Sequence, residues 1–189
     1  MSGEAVNDDQ LISATVSGDS EAFGQLVDRY QNRLFNSMVY VAGNHNEAEE
    51  VVQEAFVQAF IKLNTFAGRS SFYTWLYRIA FNYFISRKRR KREILVGAIE
   101  ETSIEPLDGE GPAENRMLQA ERATQVREAL MVLSDEHRTV MVLREIDGCG
   151  YAEIAEILDL PVGTVRSRIH RARSEMREYL QDNLENHPA

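Results

Sequence analysis

The stretch "YAEIAEILDLPVGTVRSRIHRAR" (residues 151–173) divides into two helices and the turn between them. Ile154 and Ile157 turn inward on a short first helix, and Asp159, Leu160 and Pro161 make a three-residue turn. Pro161 or Val162 then opens the second helix, where a missing N–H costs nothing. Such a spacing is a helix-turn-helix. At about 100° per residue, Val165, Ile169, Ala172 and Met176 fall on one stripe. The opposite face carries Gly163, Ser167, His170 and Arg171, flanked by Arg166 and Arg168. A small, polar, basic face near a helix N-terminus is what a helix in the major groove needs to reach base edges. An arginine-rich solvated helix that binds nothing would carry the same charge; the turn spacing is what favours DNA.

The charge of the whole chain argues the other way, since 30 Asp and Glu outnumber 21 Lys and Arg and leave a net charge of -9. An acidic body repels the phosphate backbone. Distribution overrides the total. Glu100 to Glu114 holds six acidic residues and no basic one, interleaved with Pro106, Gly109, Gly111 and Pro112, the composition of a solvated linker. On either side lie "RKRRKR" (87–92) and the arginines of the opening stretch. The expected organisation is all-α: two small helical domains, 8–94 and 116–182, joined by an acidic flexible linker at 95–115. No period of about 20 to 50 residues marks a repeat array.

Within these domains Asp19 is placed to cap a helix running to about Ala42, and Asn46 with Glu49 resembles a capping box for a helix to about Leu63. Ser70 or Ser71 starts a long helix that reaches the basic run. In the second domain helices are expected near 116–132, 135–147, 151–158 and 162–180, and no segment has strand patterning.

Several function classes are disfavoured. No apolar run of about 18 residues could span a bilayer and the N-terminus is acidic and polar, so a cytoplasmic protein without direct membrane contact is expected. Cys149 is the only cysteine, which leaves no disulfide and no cysteine zinc cage within one chain. His45, His137, His170 and His187 show no ligand spacing, and there is no glycine-rich phosphate loop or nucleophile motif. Neither a catalytic site, a metal nor a cofactor is expected.

Two further stretches stand out. Eight of the sixteen aromatics lie between Phe66 and Phe84, just before the basic run. On a helical projection Phe72, Leu76, Ile79 and Tyr83 make a core stripe, with Trp75 at its edge, and Tyr73, Tyr77, Phe81 and Phe84 a second. A central helix burying both stripes and a stacking platform for unpaired bases both fit this pattern, and they can coexist. The preceding helix, "NEAEEVVQEAFVQAFIKL" (46–63), buries Ala48, Val52, Ala55, Ala59 and Leu63. Its other face shows Glu50, Gln53 and Glu54 with Val57 and Ile61, which suits a basic, partly apolar protein surface and repels DNA. A plain solvated face fits as well.

Taken together, "VVQEAF" (51–56), "SFYTWLYRIA" (71–80) and "PVGTVRSRI.RAR" (161–173), in this order around an acidic linker, resemble the extracytoplasmic-function sigma factors of the sigma-70 family, and most closely the envelope-stress, sigma-E branch. The resemblance runs from about Leu11 to Leu180. It implies a region-2 domain at 11–92 and a region-4 domain at 121–180. It implies that Glu50, Gln53, Glu54, Phe56 and Phe60 grip the clamp helices of the polymerase β′ subunit. It implies that Arg69, Ser70, Ser71, Phe72 and Asn82 read and trap a flipped base of the minus-ten element. The more basic run beyond, with Arg87, Lys88 and Arg89, adds phosphate contacts there. Arg166, Ser167, Arg168, His170 and Arg171 would contact the minus-thirty-five element.

The implied function is that of a promoter-specificity subunit at stress- or envelope-type promoters. Its partners would be core RNA polymerase, including the β flap, promoter DNA, and an anti-sigma protein, with the polymerase supplying the catalysis. Two departures are visible: His170 stands where the sigma-E branch has phenylalanine, and Gly150 where it has a capping serine. The rival reading is a stand-alone helix-turn-helix repressor or activator, which needs a ligand pocket and usually a dimer interface in its N-terminal half.

Overall fold

The computed structural model describes residues 6–94 and 124–186, and these are helical with short connections and no strand among them. The expected linker at 95–115, and the start of the helix expected from 116, lie outside the described residues. By internal packing the described residues form two compact units, one of residues 6–36 and 48–94 and the other of residues 37–47 and 124–186.

The chain opens with α1 (Asp8–Val16), which the sequence reading did not separate. Its signal is Asn7-x-x-Gln10. The Asn7 side chain accepts from the Gln10 N–H at 2.9 Å and the Gln10 side chain accepts from the Asn7 N–H at 3.1 Å, so two orphan donors are satisfied reciprocally. α2 (Ser20–Ala42) is capped as expected by Asp19, whose carboxylate accepts from the N–H groups of Glu21 and Ala22. Gly43 ends it with φ 73°, its N–H donating to the Val39 carbonyl at 2.9 Å, a left-handed closure that a side chain would strain.

α3 (His45–Lys62) begins one residue before the expected cap. The cap is Asn44, whose side chain accepts from the Glu47 N–H at 3.1 Å, and not Asn46. A short 3₁₀ turn, Leu63–Thr65, leads to the loop before α4 (Phe72–Ile94). Ser71 caps α4, accepting from the Thr74 N–H at 3.1 Å.

In the first unit Phe23, Leu26 and Leu34 of α2, Val52 and Phe56 of α3, and Leu76, Tyr77 and Phe84 of α4 are all buried. Each fully buried side chain of this size contributes about 1.5–3 kcal/mol relative to exposure. Tyr30 anchors the start of α4 from α2, its ring 5.5 Å from Phe72 and 5.8 Å from Tyr73. Its hydroxyl donates to Asp8, and partial burial together with that carboxylate pushes its pKa up to about 12.

In the second unit α5 (124–131) precedes α6 (Asp135–Met141), capped by Ser134 and prolonged by a π turn, Val142–Ile146. The wider turn brings the Arg144 guanidinium to the Cys149 carbonyl at 2.9 Å and over the Tyr151 ring, fixing the approach to α7 (Tyr151–Leu158). Gly150 donates its N–H to the Glu153 carboxylate at 2.7 Å, but having no side chain it returns nothing to the helix. Asp159 closes α7 in the left-handed region at φ 53°, and the Pro161 carbonyl receives the first bonds of α8 (Val162–Asn186). The three-residue turn is therefore as expected.

Candidate docking and nucleic-acid surfaces

On α8 the apolar stripe is buried as the projection places it, with Val165, Ile169 and Ala172 in the core and Met176 half-buried. Gly163, Arg166, Ser167, His170 and Arg171 are exposed. Among the described residues, nothing beyond its chain neighbours and its own helix backbone lies within 4 Å of where a Cβ on Gly163 would stand, so the first turn of this face is open. The arginines divide by flank. Arg168 reaches back to Glu136 on α6 at 2.7 Å and is half-buried, which makes it a tie between two helices. Arg173 pairs with Glu145 at 2.6 Å, and hydrogen bonding to that carboxylate raises its pKa further. Arg166 and Arg171 make no ion pair or hydrogen bond among the described residues. The structure thus keeps Arg166, Ser167, His170 and Arg171 on one outward face and draws Arg168 away from it.

On α3 the expected docking set separates. Glu50 and Gln53 are exposed and Glu54 half-buried. Phe60 is 48% exposed, whereas Phe56 is 7% exposed, in edge contact with Phe23 at 6.4 Å. Phe56 is therefore a core residue of the first unit and is not available for docking in this conformation. The apolar part of the face is made by Val57, Phe60 and Ile61, with Ile61 63% exposed. Val57 and Ile61 were legible as outward apolar residues. Phe56 and Phe60 lie one turn apart and both meet the Phe23 ring, Phe60 at 5.0 Å and Phe56 at 6.4 Å, yet only Phe56 is buried.

The loop before α4 turns at Gly68, φ 64°, and leaves Arg69 exposed and Ser70 half-buried. Ser71 is exposed but its hydroxyl is committed to the cap and to Thr74. Phe72 is 2% exposed, against Tyr30, Phe66 and Trp75, so it shapes the loop from below and does not offer its face to a base. Trp75 and Phe66, 5.3 Å apart and each half-buried, are the rings nearest the loop that solvent reaches.

Of the two aromatic stripes, the expected core stripe buries Phe72 and Leu76 but leaves Ile79 and Tyr83 half-buried, while the second buries Tyr73, Tyr77 and Phe84 and leaves Phe81 half-buried. Asn82 is exposed beside them, at a groove of about 520 Å³ whose lining includes Lys62, Asn82, Tyr83, Arg87 and Arg90. Lys62 was not singled out from the sequence, since a lone lysine at a helix end carries no pattern, whereas Arg90 belongs to the basic run at 87–92. Lys88 lies over the Phe84 ring at 5.7 Å and Arg89 is exposed, 3.7 Å from Glu93. Arg87 pairs with Glu50 of α3. No group of His, Cys, Asp and Glu among the described residues could hold a metal ion.

The family model for Sigma-70 region 2 matches residues 26–94, and that for Sigma-70, region 4 matches residues 123–176. The chain is 41% identical over 185 residues to the ECF RNA polymerase sigma-E factor of Escherichia coli K12, covering 94% of this chain and 96% of that one. The chain belongs to the extracytoplasmic-function sigma factors. It is 37% identical over 179 residues to the sigma factor SigW of Bacillus subtilis, covering 90% of this chain and 95% of that one. Among solved structures it resembles the sigma factor RpoE of Bartonella quintana, determined with the anti-sigma factor NepR. That likeness has a TM-score of 0.70 at 28% identity and covers 84% of this chain and 96% of that one.

As a sigma factor, the chain is a promoter-specificity subunit of bacterial RNA polymerase. The region-2 match accounts for the N-terminal half, where a stand-alone repressor would need a sensing module. No helix among the described residues is long and apolar enough to cross a membrane.

Proposed function

We propose that this sigma factor carries out its three contacts through the surfaces described above, with domains at 8–94 and 116–182. The face of Glu50, Gln53, Glu54 and Phe60, extended by Val57 and Ile61, docks on the β′ clamp helices of core polymerase, while the second domain meets the β flap. Arg69 and Ser70 of the loop, with Asn82 and the run of Arg87, Lys88 and Arg89, engage the opened minus-ten strand. Ser71 and Phe72 hold that loop in shape. Arg166, Ser167, His170 and Arg171 read the minus-thirty-five element, and Arg168 supports their helix.

The factor itself is non-catalytic and works in the cytoplasm, where polymerase makes the RNA. Its promoters are of a stress or envelope type, and an anti-sigma protein sequesters it between stimuli, as the solved relative bound to NepR suggests.

The observation that carries this reading is the outward face of α8, where a bare first turn at Gly163 adjoins exposed His170 and Arg171. A bidentate arginine at such a position discriminates bases by about 1–3 kcal/mol. The test is to mix the purified chain with bacterial core polymerase and select transcribed templates from a library randomised upstream. A single enriched two-part motif is expected. Tight, specific duplex binding by the chain alone, indifferent to polymerase, would return the repressor reading.

A further inference from the structure

Glu50 lies on the face assigned above to polymerase, and Arg87 in the set assigned to the minus-ten strand, yet the two side chains are paired with each other. Arg87 also stands where two concavities of the first unit meet. The groove of about 520 Å³ that borders Asn82 and a shallower one of about 300 Å³ bordering Glu50, Gln53 and Val57 share Glu54, Tyr83 and Arg87. One carboxylate therefore belongs to the docking face while holding a guanidinium that borders the nucleic-acid groove.

Resting on the proposed assignment of these two faces, we propose that the Glu50–Arg87 pair is a latch that couples polymerase docking to capture of the single strand. A basic surface that takes the Glu50 carboxylate withdraws it from Arg87. A phosphate that takes the Arg87 guanidinium withdraws it from Glu50. Either ligand alone must break the pair, and the second then binds without that cost. The coupling is reciprocal, because linkage between two binding events is symmetric. Its size is bounded by what a part-exposed ion pair is worth, about a two- to fivefold change in affinity. Glu50 acts through Arg87, as a positioning residue. The consequence suits a subunit whose overall charge already disfavours DNA: the free chain holds back one of its strand-binding cations until polymerase is in place.

The test uses the full-length chain and a fluorescein-labelled single-stranded DNA 12-mer of mixed sequence, read by anisotropy without polymerase. Glu50→Gln should tighten binding about two- to fivefold, and should gain nothing in an Arg87→Gln background. Glu49→Gln is the control for general charge, since the Glu49 carboxylate accepts from Gln53 on the same helix. An equal gain from Glu49→Gln, or a gain from Glu50→Gln that persists without Arg87, would overturn the latch. The reciprocal arm titrates each protein with core polymerase in the absence of DNA. Arg87→Gln should tighten that binding by a similar factor, because Glu50 is released. Wild type and Arg87→Gln binding core equally would overturn the latch alone, whereas a wild-type chain that fails to bind core at all would overturn the functional assignment beneath it.

Discussion

On α8 the arginines are sorted by flank. Arg168 and Arg173 are held by Glu136 and Glu145, while Arg166 and Arg171 stand exposed without an ion pair among the described residues. On α4, by contrast, Arg87 is held by Glu50, a carboxylate of the face proposed to dock on polymerase. The two units carry similar basic helices and treat them differently. In the second, the paired cations and those proposed to read bases occupy separate positions, so the proposed reading face is complete in the isolated protein. In the first, a cation proposed for the strand contact is also tied into the fold, so under that proposal its availability depends on what else is bound.

The largest effect should come from the α3 face. Reversing charge at Glu50 and Glu54 together places two like charges against a basic partner, and like-charge juxtaposition costs several kcal/mol. Association with core polymerase should fall more than about 100-fold while helical content, read by circular dichroism, stays unchanged. Ordinary co-purification with polymerase would remove the docking face from the comparison and leave only the two surfaces proposed for DNA.

On α8, Arg171→Ala should cost about 1–3 kcal/mol on the preferred upstream element and relax selection at one or two base pairs, with core binding unaffected. His170→Phe should move the selected motif toward that of the sigma-E branch without large loss of transcription. If both variants return the parent motif in a selection experiment, α8 does not read bases, and the sorting of its arginines has no bearing on recognition.

The geometry that presents this face is the next target. Asp159 sits at φ 53°, where a side chain pays for the left-handed conformation and a short polar one pays least. Asp159→Val should lower the stability of the second unit by about 1–2 kcal/mol and Asp159→Gly should hold or raise it. The check is amide exchange in α7 and α8. Equal behaviour of the two variants would show that the turn is not a constraint on the reading helix.

How much of this was legible in the sequence depends on which interaction decides each residue. The helix-turn-helix was written in local chemistry, the apolar spacing of Val165, Ile169 and Ala172 and a proline at the start of α8, and the structure follows it residue by residue. The Asp19 and Ser71 caps were equally local. The α3 cap was ambiguous, since Asn44 and Asn46 each precede a glutamate by three residues. The glycine closure at Gly43 lets α3 begin early enough for Asn44 to take the role. Phe56 and Phe72 were placed on contact surfaces by resemblance, and both are buried, Phe56 beside Phe23 and Phe72 beside Tyr30, rings from another helix. The apolar stripe read on α3 left Phe56 out, whereas the helical projection of α4 already put Phe72 on its core stripe. The Arg87–Glu50 pair was invisible, being a contact between helices whose charges were each read as facing outward.

The smallest predicted effect is the one that separates the two ways of holding an arginine. Arg168 contacts Glu136 at 2.7 Å across α6 and α8, with its side chain 23% exposed and the glutamate 66% exposed. A pair with one end in water contributes under about 1 kcal/mol, so Arg168→Ala should lower the melting temperature by only a few degrees. Its effect on DNA should be nearly independent of sequence, because the guanidinium points to α6 and not to the outward face. The selected upstream motif should therefore be unchanged, in contrast to Arg171→Ala three residues on. Glu136→Gln should reproduce the stability loss, and in that background Arg168→Ala should add little. A change of base preference in Arg168→Ala would mean that this arginine leaves Glu136 on the promoter. α8 would then share its cations between fold and contact just as α4 does, and the distinction between the two units would disappear.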